Sequence, residues 1–118
     1  MTIRRIQVGP RMSQAVIHNN TVYLAGQVGE GATVAIQARQ ILATIDALLA
    51  EADSDKSRLL TATIWLTDMA TFAEMNGVWQ SWVAPGQTPA RATVLSAALA
   101  SLEYKIEIAV TAAQRDNP

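Results

Sequence analysis

Thr33-Val-Ala-Ile-Gln-Ala-Arg-Gln-Ile-Leu-Ala-Thr-Ile-Asp-Ala-Leu-Leu-Ala-Glu-Ala52, closed by Asp53-Ser-Asp55, is the stretch whose reading decides the fold. Val34, Ala38, Ile41, Ile45, Leu48 and Ala52 fall at three- and four-residue steps. Leu42 and Leu49 widen that stripe, which is the period of a helix with one buried face. The spacing predicts a helix of about five turns, from near Thr33 to near Asp53. A helix with one apolar stripe needs a partner layer to cover, so the flanks are read for strands.

Upstream, Thr2 to Val8 alternates weakly and stops at Gly9-Pro10, a first strand. Gln14 to His18 is a second, Asn19-Asn20 is a two-residue turn signal, and Thr21 to Val28 resumes with β-branched and aromatic residues. Residues 14–28 therefore read as a hairpin, ended by Gly29-Glu-Gly31. Downstream, Leu59 to Leu66 is a strand. A second helix begins near Thr71, where Thr71-x-x-Glu74 fits a capping box. It carries Phe72, Met75, Trp79 and Val83 on one stripe and stops at Pro85-Gly86. Ala90 to Ser96 and Tyr104 to Ala112 are the last strands, and Gln114 to Pro118 is expected to fray. The order β-β-β-α-β-α-β-β makes residues 1–118 one α+β domain with both helices on one side of a sheet.

Strand parity then sorts the sheet. Val22, Leu24, Leu60, Ala62, Ile64, Leu66, Val94, Ile106, Ile108 and Val110 are expected under the helices. The other face is expected to carry Tyr23, Ala25, Gln27, Thr61, Thr63, Trp65, Thr67, Arg91, Thr93, Leu95, Lys105, Glu107, Ala109 and Thr111. A face open to water would hold more charge than this, so self-association is expected through it.

Composition removes several classes of function. Half of the 118 residues are hydrophobic and 16% are charged, which is incompatible with a disordered chain. About 20 of the apolar residues are Ala, each burying little area, and a core this small gains from association. Nine basic and ten acidic residues, with no run of like charge, give no electrostatic footprint for nucleic acid or a membrane surface. The chain has no Cys, which excludes thiolate chemistry and disulfides. It also lacks an apolar stretch near the length of a membrane span. Met1 to Val8 has no apolar run of a secretory signal, and the expected location is the cytoplasm.

Few residues carry candidate chemistry. His18, the only His, precedes a turn and reads as a surface residue rather than a base held by packing. Asp53-x-Asp55 is a helix terminus, not a calcium loop, and no metal site is expected. Gly26 to Gly31 lacks the spacing of a phosphate-binding loop. Trp79 and Trp82 are read as core, while Trp65 falls on the half-polar face. Arg91 and Glu107 stand out as strand-interior charges, where an unpaired charge is costly. They form either a structural ion pair or a site, with Arg91 holding a small carboxylate in its planar fork and Glu107 handling a proton or water beside it.

At these residues the chain resembles the RidA-like family, the reactive-intermediate or imine deaminases. The resemblance runs through Ser13-Gln14-Ala15, Val22-Tyr-Leu-Ala-Gly-Gln27, Asp68-Met-Ala-Thr-Phe-Ala-Glu-Met-Asn76, Thr88-Pro-Ala-Arg-Ala-Thr-Val94 and Ile106-Glu-Ile-Ala-Val110. It implies a chorismate-mutase-like homotrimer, with sheets inward, helices outside and clefts between subunits. It further implies hydrolysis of 2-enamino and 2-imino acids of the 2-aminoacrylate type to 2-keto acids and ammonia, without metal or cofactor. By this resemblance Arg91 binds the substrate carboxylate, Glu107 positions the attacking water, and Gly26 and Asn76 line the cleft. Three cleft positions depart from the family pattern. Met12 replaces an aromatic residue, beside an apparent extra residue at Arg11; Ala25 replaces a serine; and Thr93 replaces the cysteine common among the deaminases. The alternative is a non-catalytic trimer that binds small keto acids or other carboxylates.

Overall fold

The computed structural model describes residues 2–116. Seven strands make one sheet: β1 (Arg4–Val8), β2 (Ser13–His18), β3 (Thr21–Leu24), β4 (Gln27–Val28), β5 (Leu59–Leu66), β6 (Ala90–Leu95) and β7 (Ile106–Ala113). Their order is β1-β2-β3-β7-β5-β6, with β4 also pairing with β7. Only the β5–β6 pair is parallel, and the connection that parallel pairing requires is α2 (Phe72–Trp82). With α1 (Val34–Glu51) it covers one face of a mixed sheet, the α+β arrangement expected from the sequence.

The local signals act where they were read. Asn19 and Asn20 both take positive φ, 52° and 63°, between the paired His18 and Thr21, which is the backbone that a tight two-residue hairpin demands. Thr33 caps α1 by accepting the Ile36 N–H at 3.2 Å. The stripe Val34, Ala38, Ile41, Leu42, Ile45, Leu48, Leu49 is buried against Val22, Ile64, Ile106, Ile108 and Val110 of the sheet in a single core. Gln37 lies in the same stripe and is 1% exposed. Its amide nitrogen donates to the carbonyls of Gly31 (3.0 Å) and Glu103 (2.9 Å), and its oxygen accepts the Lys105 N–H at 2.9 Å. A buried amide so fully bonded stabilises rather than costs, and it fastens α1 to the loop that leads into β7.

The sheet departs from the expected parity at three places. The strand expected at Thr21–Val28 breaks at Ala25-Gly26. Gln27 therefore pairs with Ile108 and is buried, instead of sharing the face of Tyr23. A register shift between Leu59 and Thr61 sends Leu59 into the core and leaves Leu60 45% exposed; a bulge of this kind reverses parity at one residue. In β6, Arg91 pairs with Ala62, Thr93 with Ile64 and Leu95 with Leu66. Paired residues share a face, so Arg91, Thr93 and Leu95 lie on the helix side. Val94, paired with Trp65, lies on the other side.

Other expectations are also corrected. Glu74 does not close a capping box with Thr71, whose side chain makes no cap bond. Its carboxylate accepts the Ala35 N–H at 2.8 Å instead, joining α2 to the start of α1. A 3-10 turn, Met69–Thr71, precedes α2 and is capped by Asp68. Trp82 is only half-buried, and its indole N–H donates to Asp46 at 2.9 Å. Gln114 and Arg115 are not frayed: their N–H groups donate to the carbonyls of Asn20 (2.9 Å) and Asp53 (2.7 Å). Asp116 stands 3.5 Å from Arg58, and residues 117–118 of the tail expected to fray lie outside the described residues.

Candidate functional site

The candidate site falls into two halves. The first is built on β7, where Ile106, Ile108, Val110 and Ala112 are buried and Glu107, Ala109 and Thr111 point to the face without helices. Glu107 stands opposite Trp65 of β5 and Val28 of β4. The break between β3 and β4 brings Gly26 against it. A Cβ at Gly26 would collide with Oε2 of Glu107 and stand 2.9 Å from its Cδ. The backbone approaches the carboxylate this closely because residue 26 has no side chain. The strand next to it is tied in by the Ala25 N–H, which donates to the Gln14 carbonyl at 2.9 Å. The Gln27 amide donates to Gln14 Oε1 (2.9 Å) and to the Ala25 carbonyl (3.0 Å). Met12, 47% exposed, sits in the loop that carries β2 toward this end of the sheet.

The second half is built on β6 and α2. Arg91 is half-buried on the helix side, with its Cζ 5.6 Å from the centroid of the Trp79 ring and 5.9 Å from that of Phe72. Asn76 lies between those two aromatics on the same helical stripe. Thr93, two residues along β6 from Arg91, has a buried Oγ1 with no hydrogen-bond partner. An unsatisfied buried hydroxyl is costly.

These halves do not meet within one protomer. β6 is two strands from β7, and Ala62, opposite Arg91, is three residues from Trp65, opposite Glu107. Strand spacing and rise put the two backbones about 10 Å apart across the sheet and about 10 Å apart along it, with the side chains on opposite faces. Neither residue enters the ion pairs found among the described residues, which are Arg4–Asp53, Arg58–Asp116 and Arg115–Asp55. The expectation that Arg91 and Glu107 share a face is thus corrected, and a structural pair within the chain is removed with it.

The sequence reading named Arg91, Asn76, Thr93, Glu107, Gly26, Ala25 and Met12. The structure places the first three around β6 and α2, brings Glu107 and Gly26 together at β7, and sets Ala25 and Met12 at the adjoining ends of β3 and β2. It adds Phe72 and Trp79, read earlier only as core stripe, and Gln14 and Gln27. Aromatic residues seven apart on a helix offer a stripe but no sign of what cation lies beneath, so only the tertiary contact reveals that role. Among the described residues, no group of three or more His, Cys, Asp or Glu could hold a metal ion. No helix there is long and apolar enough to cross a membrane.

Known proteins show similar chains. Residues 2–114 match the family model described as Endoribonuclease L-PSP. The RutC family protein YoaB of Escherichia coli strain K12 is 47% identical over 115 residues, covering 96% of this chain and 99% of its own. Reactive Intermediate Deaminase A, chloroplastic, of Arabidopsis thaliana is 35% identical over 109 residues, 86% of this chain but 57% of that longer protein. The crystal structure of NMB1025 from Neisseria meningitidis, a member of the YjgF protein family, superposes with a TM-score of 0.95 at 48% identity. That match covers 99% of this chain and 98% of the other.

Proposed function

The chain belongs to the YjgF/RidA family, whose model is the one described as Endoribonuclease L-PSP, and from that membership and its divided site we propose that it hydrolyses small 2-enamino and 2-imino acids to 2-keto acids and ammonia in clefts between the subunits of a homotrimer. One observation carries the reading. Among the described residues neither Arg91 nor Glu107 enters an ion pair, and the two face away from each other, so a second copy is needed to join them on one ligand. The face that would meet that copy is unsuited to water, with Tyr23 48% and Val94 39% exposed.

In this scheme the substrate carboxylate docks on the guanidinium of Arg91, and the enamine enters as its imine tautomer. A water held by Glu107 of the neighbouring subunit adds its oxygen to the C=N carbon. The carboxylate takes a proton from that water and returns it to the nitrogen. Glu107 then carries the hydroxyl proton of the resulting carbinolamine to the same nitrogen, the C–N bond breaks, ammonia leaves and the C=O bond forms. The imine is already electrophilic, so positioning and proton transfer supply what is needed, and no metal or cofactor enters a step. The balanced charge and the thinly charged open face support a small carboxylate as partner rather than RNA, and a cytoplasmic location accompanies the proposal.

Met12, Ala25 and Thr93, where the family pattern has other groups, favour a second reading, a trimer that binds keto acids without turnover. A pyridoxal-phosphate lyase that releases 2-aminoacrylate, with semicarbazide as the trap, separates the two. Faster keto-acid formation on addition of the protein supports the deaminase. An unchanged rate with pyruvate binding intact selects the binding module, and an unchanged rate with no binding sinks both.

A further inference from the structure

We infer that Phe72 and Trp79 are positioning residues that hold the guanidinium of Arg91 ready for a carboxylate and set how tightly the site takes one. The inference rests on Arg91 being the carboxylate anchor. Both ring centroids stand within 6 Å of the Arg91 Cζ, the range of an effective cation–π contact. The rings are seven residues apart on α2 and so share one face of the helix. Trp79 is buried, whereas Phe72 is 38% exposed at the first residue of α2.

The place of that first residue is set by bonds on both sides of it. The Asp68 carboxylate accepts the Ala70 N–H at 3.0 Å, and the Thr71 hydroxyl donates to the Asp68 carbonyl at 2.6 Å. Glu74 fastens the same turn to the start of α1.

The chemistry explains why rings, rather than a carboxylate, hold this arginine. An Asp or Glu in contact would occupy the in-plane N–H donors and neutralise the charge that a ligand must meet. An aromatic ring attracts the cation through its π-face and leaves the donors of the planar fork free. Arg91 is accordingly restrained without being paired, and none of the ion pairs among the described residues includes it.

The test uses the intact protein with Phe72→Leu, Phe72→Tyr and Arg91→Ala. Pyruvate affinity is read by calorimetry and the Arg91 Nε–H resonance by NMR, with thermal unfolding as a check on the fold. Phe72→Leu is expected to weaken pyruvate roughly 3- to 30-fold and to move the Nε–H resonance downfield as ring shielding is lost. Phe72→Tyr, which restores a ring, is expected to recover both within about 2-fold. Full affinity and an unmoved resonance in Phe72→Leu, while Arg91→Ala abolishes binding, overturn the inference and leave the anchor reading standing. Pyruvate binding undiminished in Arg91→Ala, or absent from the parent protein, overturns the anchor reading and the inference with it.

Discussion

Placing Arg91 and Glu107 on opposite faces of one sheet predicts that two inactive variants repair each other when their subunits are mixed. Arg91→Ala removes the anchor and Glu107→Gln removes the proton acceptor, each lowering turnover about 100-fold or more. A site that takes Arg91 from one subunit and Glu107 from its neighbour is complete only when a Glu107→Gln subunit is followed by an Arg91→Ala subunit. Random equal mixing gives that order at about one site in four in a closed ring, whatever the number of subunits. The mixture should therefore recover about a quarter of the parent activity, far above the roughly 1% left in either variant alone. The two proteins are unfolded and refolded together, with separately refolded samples combined afterwards as control. Imine hydrolysis is followed by the semicarbazide assay, and subunit mixing is verified by mass spectrometry of the native assembly. Both side chains must reach one ligand a few ångströms across, whereas within a protomer their backbones differ by about 10 Å in each of two directions and point apart. Mixed assemblies with no more activity than the variants alone would refute the shared site.

Four further outcomes follow from the structure. Gly26→Ala should lower turnover about 100-fold by pushing the Glu107 carboxylate aside, with pyruvate binding held within about 3-fold because the anchor lies elsewhere; equal losses in both assays would count against the division. Trp65→Glu puts a second carboxylate directly opposite Glu107 on the proposed subunit face, and light scattering should show the assembly falling toward the 12.7 kDa protomer; an intact trimer would place Trp65 away from the interface. Gln37→Leu removes the bonds that the Gly31 and Glu103 carbonyls and the Lys105 N–H make to a buried amide, costing about 1–3 kcal/mol and lowering the melting temperature by about 4–12 °C; calorimetry that shows no change would contradict the role given to that amide. The Asp55 carboxyl is held below its ordinary value of 3.8 chiefly by the hydrogen bond from the Ser57 hydroxyl; burial pushes it up, and the Ser57 N–H and Arg115 add smaller downward pulls. Its folded value lies under its unfolded one, so its contribution is complete above the unfolded value and is lost as the pH falls below 3.8 and through the folded value. Asp55→Asn should thus lower stability at neutral pH and flatten its acid dependence in that window, which thermal melts at stepped pH will show.

What the sequence determined by itself is local. The stripe of α1 is buried as its period requires, because a 3.6-residue repeat can present only one face to a core. The asparagine pair makes its turn because that hairpin needs two residues tolerant of positive φ. The alternation of β7 survives because its buried positions, Ile106, Ile108 and Val110, differ sharply from Glu107 and Thr111 between them. These signals, with the motifs around Arg91 and Glu107, made the α+β order, the family and the two charged residues legible.

Only the tertiary structure decided which way Arg91 points. In Ala90-Arg-Ala-Thr-Val-Leu95 the hydrophobic pattern favours Ala90, Ala92 and Val94 for the helix side, and the structure takes the opposite phase. The phase is set by parallel pairing with β5, whose Ala62, Ile64 and Leu66 face the core and stand opposite Arg91, Thr93 and Leu95. A one-residue change of phase carries every side chain of a strand through the sheet. That change of phase places Arg91 beside the rings of Phe72 and Trp79 instead of on the face of Glu107, the separation on which the proposed shared site rests.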